Sequence, residues 1–182
     1  KKVLIVDMDM RKGSLEKRIG ISSHNKGIVN YLVGKEPDIN NLIVKNCLHG
    51  VDALLVGIIP PNPAELLMSE RLDALIAECR SHYDYIIIDS VPAMVIADAM
   101  ISSRVADLSI YVVREGLLDR QQIPDINALH TENKLNNMCI VLNGASEGRQ
   151  SYGYSYRYQY VSFSDKNDHG WRKILKKLGL LK

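Results

Sequence analysis

Two aspartates stand one residue apart in the run Val3-Leu4-Ile5-Val6-Asp7-Met8-Asp9-Met10-Arg11. The apolar, β-branched-rich stretch before them reads as a buried strand. In an open α/β sheet the ligand crevice lies at the carboxyl ends of the strands, where Asp7 and Asp9 fall. Paired carboxylates in that place suit a hard cation such as Mg²⁺, or the acceptance of a proton. Arg11 adds a permanent positive charge able to contact phosphate or to hold a carboxylate. Taken alone, the motif reads equally well as a solvated acidic turn.

A second apolar run, Tyr85-Ile86-Ile87-Ile88, delivers Asp89 at its tip and continues Ser90-Val91-Pro92. This is the Walker B pattern, in which the aspartate holds Mg²⁺ directly or through water. Many strands end in Asp, so the pairing of the two motifs carries more than either. Asn143 closes the last apolar run, Cys139–Leu142, and its amide has the donors and acceptor to read a purine base; a polar strand terminus is the alternative. Asp98, at the front of a helix after the second motif, reads as a helix N-terminal charge. The histidines show no ligand spacing.

Five of the nine tyrosines, Tyr152, Tyr154, Tyr156, Tyr158 and Tyr160, occupy every second position of one segment. Alternation is the strand period. The residues between them are Gly153, Ser155, Arg157 and Gln159, so neither face is suited to burial, and such an edge strand would be an aggregation hazard. The pattern points to a mobile tail presenting phenol hydroxyls rather than a platform stacking nucleic-acid bases. No nucleic-acid partner is expected.

The elements that must position these groups alternate. Strands are expected at Val3–Val6, Asn41–Lys45, Val51–Gly57, Tyr85–Ile88, Leu108–Val113 and Cys139–Leu142. Helices are expected at Gly27–Val33, Ala97–Arg104 and Asp119 to about Glu132. A further helix starts at Asn62, with Asn62 as N-cap, Pro63 in the first position and Glu65 three residues after the cap. Met68, Leu72, Leu75, Ile76 and Cys79 carry it to about Arg80 at helical spacing. Strands apolar on both faces alternating with helices define an α/β fold, a mostly parallel sheet covered by helices on both sides. Residues 1–145 form this domain, 146–164 the tyrosine tail, and 165–182 a basic amphipathic segment.

The bulk figures fit. With 182 residues, 46% hydrophobic and 24% charged, the chain has the composition of a soluble globular domain. A net charge of +2 names no partner. Cys47, Cys79 and Cys139, odd in number and scattered, argue against a disulfide framework. No run reaches the roughly 18 apolar residues of a membrane span. The opening, Lys1-Lys2 and then directly an apolar run, reads as a fragment cut just before a strand.

Together these residues resemble the bacterial tyrosine kinases. Val3–Arg11 looks like their Walker A′ motif, Ile86–Pro92 like their Walker B, Ile59–Leu67 like their Pro-Asn-Pro segment, and Tyr152–Tyr160 like their C-terminal tyrosine cluster. The first two motifs are shared with MinD and ParA ATPases; the other two are the specific ones. The resemblance implies a P-loop NTPase-like three-layer sandwich, here without its first strand and P-loop, since Gly-x-x-x-x-Gly-Lys-Ser/Thr occurs nowhere in the chain. It implies ATP and Mg²⁺ as cofactors, with Asp9 and Asp89 on the metal, Asp7 taking the proton of an incoming tyrosine, and Arg11 supporting the phosphates or ordering the carboxylates. Phosphate would go to Tyr152, Tyr154, Tyr156, Tyr158 and Tyr160 of a neighbouring subunit in a ring. The implied partners are a membrane polysaccharide co-polymerase and a cognate phosphatase, and the implied location is the cytoplasmic side of a bacterial inner membrane. The rival readings are a MinD/ParA-like switch, using the basic segment Trp171–Leu181 as a membrane amphipath, and a non-enzymatic copy.

Overall fold

The computed structural model describes residues 1–21 and 25–145, which belong to one compact unit, Lys1–Ser146. The tyrosine cluster and the basic segment lie outside the described residues. Strand β1 (Val3–Asp7) occupies the interior of a four-stranded sheet. On one side it pairs in parallel with β3 (Val51–Leu54) and on the other with β4 (Tyr85–Asp89). β2 (Ile43–Leu48) runs antiparallel to β3 at the outer edge, with an irregularity between Val44 and Leu48. The sheet order is β2-β3-β1-β4. β5 (Ser109–Arg114) and β6 (Met138–Asn143) form a separate parallel pair. The mostly parallel α/β expectation holds.

Helices lie on both faces of the larger sheet. On one, Leu4, Val6 and Leu54 are buried with residues of α2 (Ile28–Leu32), α3 (Pro63–Met68) and α4 (Glu70–His82). Fully burying one such leucine contributes roughly 1.5–3 kcal/mol. On the other face the short α1 (Leu15–Arg18) sets Leu15 against Ala53, Leu55 and Ile5. That second cover is partial. Tyr85 and Ile87 on β4 are 58% and 54% exposed; on the separate β5–β6 pair, Ile110 and Val112 are 58% and 61% exposed.

The helix expected from Asn62 to Arg80 is two helices. Ser69 is extended, with φ −70° and ψ 145°, and separates α3 from α4. Leucine spacing runs on across the break, so periodicity conceals it. The break frees carbonyls that a side chain remote in sequence satisfies: Arg104 donates to Leu67 O at 2.9 Å and Ser69 O at 3.2 Å, and pairs with Asp73. Asn62 does hold the N-cap position, yet its amide donates to Glu65 Oε2 at 2.6 Å instead of its oxygen capping the backbone. Two further helices follow, α5 (Asp98–Ser103) and α6 (Ile123–Thr131), the latter entered through a 3-10 turn at Arg120–Gln122.

A backbone crossing anchors the segment after β3. The Ile28 N–H donates to Leu55 O at 2.8 Å at the start of α2. A Cβ on Gly27 would lie 2.2 Å from Leu55 O, and one on Gly57, at φ +77°, would lie 2.7 Å from the Gly27 nitrogen. Only two glycines permit this approach.

Candidate functional site

Asp7 and Asp89 end adjacent parallel strands in direct register. The Met8 N–H donates to Asp89 O at 2.8 Å and carries the ladder one step beyond them. The chain then turns away. Asp7 is 1% exposed and has both oxygens engaged: Oδ1 accepts the Asp9 N–H at 3.0 Å and Oδ2 the Leu15 N–H at 3.2 Å. Burial outweighs these two bonds and pushes the carboxyl up to about 6, with Asp89 and Asp9 adding to the rise. Asp7 therefore organises the loop that presents its neighbour.

Asp9 is half-buried and held differently. Its Oδ1 accepts the N–H groups of Arg11 at 3.2 Å and Lys12 at 3.1 Å, and its carbonyl accepts the Gly13 N–H at 2.8 Å. Both backbone bonds to the side chain fall on one oxygen, which leaves Oδ2 for a ligand. Asp89, also half-buried, supplies a second carboxylate from the next strand.

Arg11 turns toward α5. Its Nε donates to Asp98 Oδ2 at 2.8 Å and its Nη2 to Asp98 Oδ1 at 3.1 Å. The Asp98 side chain is only 4% exposed. This corrects the reading of Asp98 as a plain helix-terminal charge: it is the buried partner of Arg11. The signal was present, since an acid set between Ala97 and Ala99 beside Ile96 and Met100 needs a cation if it is to be buried.

Asp7, Asp9, Arg11 and Asp89 thus meet at one end of the β1–β4 ladder. Asn143 does not join them by strand pairing. It ends β6 opposite Arg114, is exposed, and its carbonyl accepts the Glu115 N–H at 3.0 Å. Tyr152, Tyr154, Tyr156, Tyr158 and Tyr160 lie outside the described residues. Among the described residues no three His, Cys, Asp or Glu side chains are gathered closely enough to hold a metal ion unaided. Mg²⁺ accompanying phosphates needs only one or two carboxylates. Asp9 Oδ2 and the Asp89 carboxylate are hard oxygen donors and fit that requirement.

A mostly parallel sheet with helices on both faces, and aspartates ending two adjacent parallel strands, is the architecture of the P-loop NTPase-like α/β fold. Residues 1–116 match the AAA domain family, and the chain belongs to it. Among curated proteins it is similar to tyrosine-protein kinase wzc of Salmonella typhimurium, 34% identical over 167 residues. That match covers 90% of this chain and 23% of the relative. Tyrosine-protein kinase etk of Escherichia coli is 33% identical, with 85% and 21% covered. The chain therefore spans under a quarter of the length of these relatives. Among solved structures, the kinase domain of the Escherichia coli tyrosine kinase ETK superposes with a TM-score of 0.72 at 32% identity, covering 85% of this chain and 60% of that one. The septum site-determining protein MinD of Pyrococcus horikoshii, complexed with Mg-ADP, shares the fold at a TM-score of 0.61 and 22% identity.

Proposed function

We propose that this chain is the greater part of the catalytic domain of a protein-tyrosine kinase that phosphorylates the tyrosine cluster of its own tail. The observation that carries the reading is the register of Asp7 with Asp89, with Asp9 presented beside them, in a chain similar to tyrosine kinases along most of its length. Asp9 and Asp89 would hold Mg²⁺. When bound, that ion neutralises charge on the ATP phosphates. The tyrosine oxygen would form a bond to the terminal phosphorus as the bond to ADP breaks, and the phenol proton would pass to the Asp7 carboxylate. Because Arg11 is engaged by Asp98 through two nitrogens, ordering the carboxylates suits it better than catching phosphate.

The phosphate cradle would come from residues outside these 182. The exposed Tyr85 and Ile87, and Ile110 and Val112, provide apolar surface that such a strand and helix would cover. Asn143 is the proposed base-reading residue. Trans-phosphorylation within a ring, a membrane polysaccharide co-polymerase as partner and a phosphatase that resets the tail complete the reading. No described helix is long and apolar enough to cross a membrane, so placement at the inner membrane would rest on that partner or on another part of the protein.

Incubation of the intact protein with ATP and Mg²⁺, followed by mass spectrometry of residues 146–164, tests this. Phosphate on Tyr152, Tyr154, Tyr156, Tyr158 or Tyr160 is expected. A tail that stays unmodified while ATP is hydrolysed would return the chain to the class of ATPase switches.

A further inference from the structure

Asp98 lies outside both strand-end motifs, yet it is among the few buried charged residues of the described chain. Both of its oxygens are taken by Arg11 in a planar, bidentate pair. A buried ion pair is poor evidence for stability, because desolvation offsets most of the attraction. Its geometry is more telling. The residue that Asp98 immobilises supplies, through its own N–H, one of the two backbone bonds on Asp9 Oδ1. The next turn of the same helix reaches the other strand: Ser102 Oγ donates to Asp98 O at 2.9 Å and lies 3.4 Å from the hydroxyl of Ser90, the residue after Asp89. A continuous path thus runs from Asp9 through Arg11, Asp98, Ser102 and Ser90 to Asp89.

We propose that Asp98 is a positioning residue, and that α5 is a brace setting the relation between the Asp9 and Asp89 carboxylates and hence the affinity for Mg²⁺. The inference rests on the reading that those two aspartates hold the cation. Partners that orient metal ligands commonly change metal affinity by about 10–100-fold when removed. Asp98→Asn keeps the shape and loses the charge that fixes Arg11. It is expected to raise, by about tenfold, the Mg²⁺ concentration that half-saturates both tail phosphorylation and the Mg²⁺-dependent binding of ADP. Arg11→Gln should do the same, and the double variant should be no worse than either single one, because both act through one contact.

The measurements use the intact protein, with ADP binding followed by calorimetry across a Mg²⁺ series. Where Asp98→Asn does not fold, Arg11→Met combined with Asp98→Leu keeps the packing without the buried charges, and the same raised Mg²⁺ requirement is expected of it. An unchanged Mg²⁺ requirement in a folded variant overturns the brace, as does strict additivity of the two single variants. A parent protein that leaves its tail unmodified sinks the kinase reading alone, since ADP binding still reports on the brace. A parent whose ADP binding ignores Mg²⁺ sinks both.

Discussion

The two ends of the same strands carry charged clusters of opposite character. At the N-terminal end, Lys45 Nζ lies 3.1 Å from Asp52 Oδ2 and 2.8 Å from Tyr83 Oη, and the hydroxyl of Tyr83 donates to Asp52 at 2.7 Å. Partial burial pulls Asp52 upward, but the Asn46 N–H, Tyr83 and Lys45 together bring it below the ordinary carboxylate range. Lys45 and Asp52 answer each other. At the C-terminal end, burial wins and Asp7 rises to about 6. Its neighbours Asp9 and Asp89 are acids as well, and the nearby guanidinium is spent on Asp98. A cluster that closes its own charges is a clasp, whereas one that gathers carboxylates without a free cation of its own is where the proposed Mg²⁺ would be received.

The largest effect that tests this contrast is chemical. Asp89→Asn removes a proposed cation ligand with little change of shape. It should cut tail phosphorylation by more than about a hundredfold, in line with the several kcal/mol a catalytic metal supplies. Phosphotyrosine at parental levels would dissolve the distinction between the ends. Next comes the backbone crossing behind the site, where Val56 packs 3.6 Å from the position of a Cβ on Gly13. Gly27→Ala forces a methyl to within 2.2 Å of Leu55 O. It should cost about 3 kcal/mol or more, as overpacking against unyielding backbone does. Urea denaturation gives the value, and a loss under about 1 kcal/mol would mean that the segment yields easily.

Asp7 sharpens the contrast through pH. Its carboxyl titrates near 3.8 when unfolded and near 6 when folded. Between those values the folded chain holds a proton that the unfolded chain has released, so this group's contribution to stability is full below about pH 3.8. It falls as pH rises and is gone above about pH 6. The swing is at most about 3 kcal/mol. Salt-bridged carboxylates such as Asp107, held below its ordinary value by Arg80, act in the opposite direction, so the difference between parent and variant is the proper readout. Asp7→Asn loses one backbone bond at every pH, a cost of about 1 kcal/mol, but is free of the slope. Its stability relative to the parent should improve between pH 4 and pH 7. Parallel curves would show that Asp7 is not desolvated.

What could be read from the amino acids follows the range of the forces involved. Strands β1 and β4 declare themselves in apolar runs, and the aspartates at their ends fall where open sheets bind ligands. Chain order alone brings Asp7 and Asp9 together. Asp98 was missed because its partner is distant in sequence and joined only by packing. Ser69 was missed for a related reason: Leu67 and Leu72 keep helical spacing while Arg104 stabilises the interruption from elsewhere. Nothing local marks Gly27 and Gly57 as touching. Helix α1 is four residues long, too short to leave a periodic trace, and forms where the Leu15 N–H meets Asp7.

The smallest expected effect belongs to the clasp. Lys45 has 56% of its side chain exposed, and its removal leaves Asp52 bonded to the Asn46 N–H and the Tyr83 hydroxyl. Water replaces the ammonium. Lys45→Ala should therefore cost less than about 1 kcal/mol, a loss that shrinks further as salt is added. Tail phosphorylation and its Mg²⁺ requirement should not move. If this substitution instead lowered phosphorylation as Asp89→Asn does, the N-terminal ends of the strands would have a part in catalysis, and the division between clasp and cation site would fail.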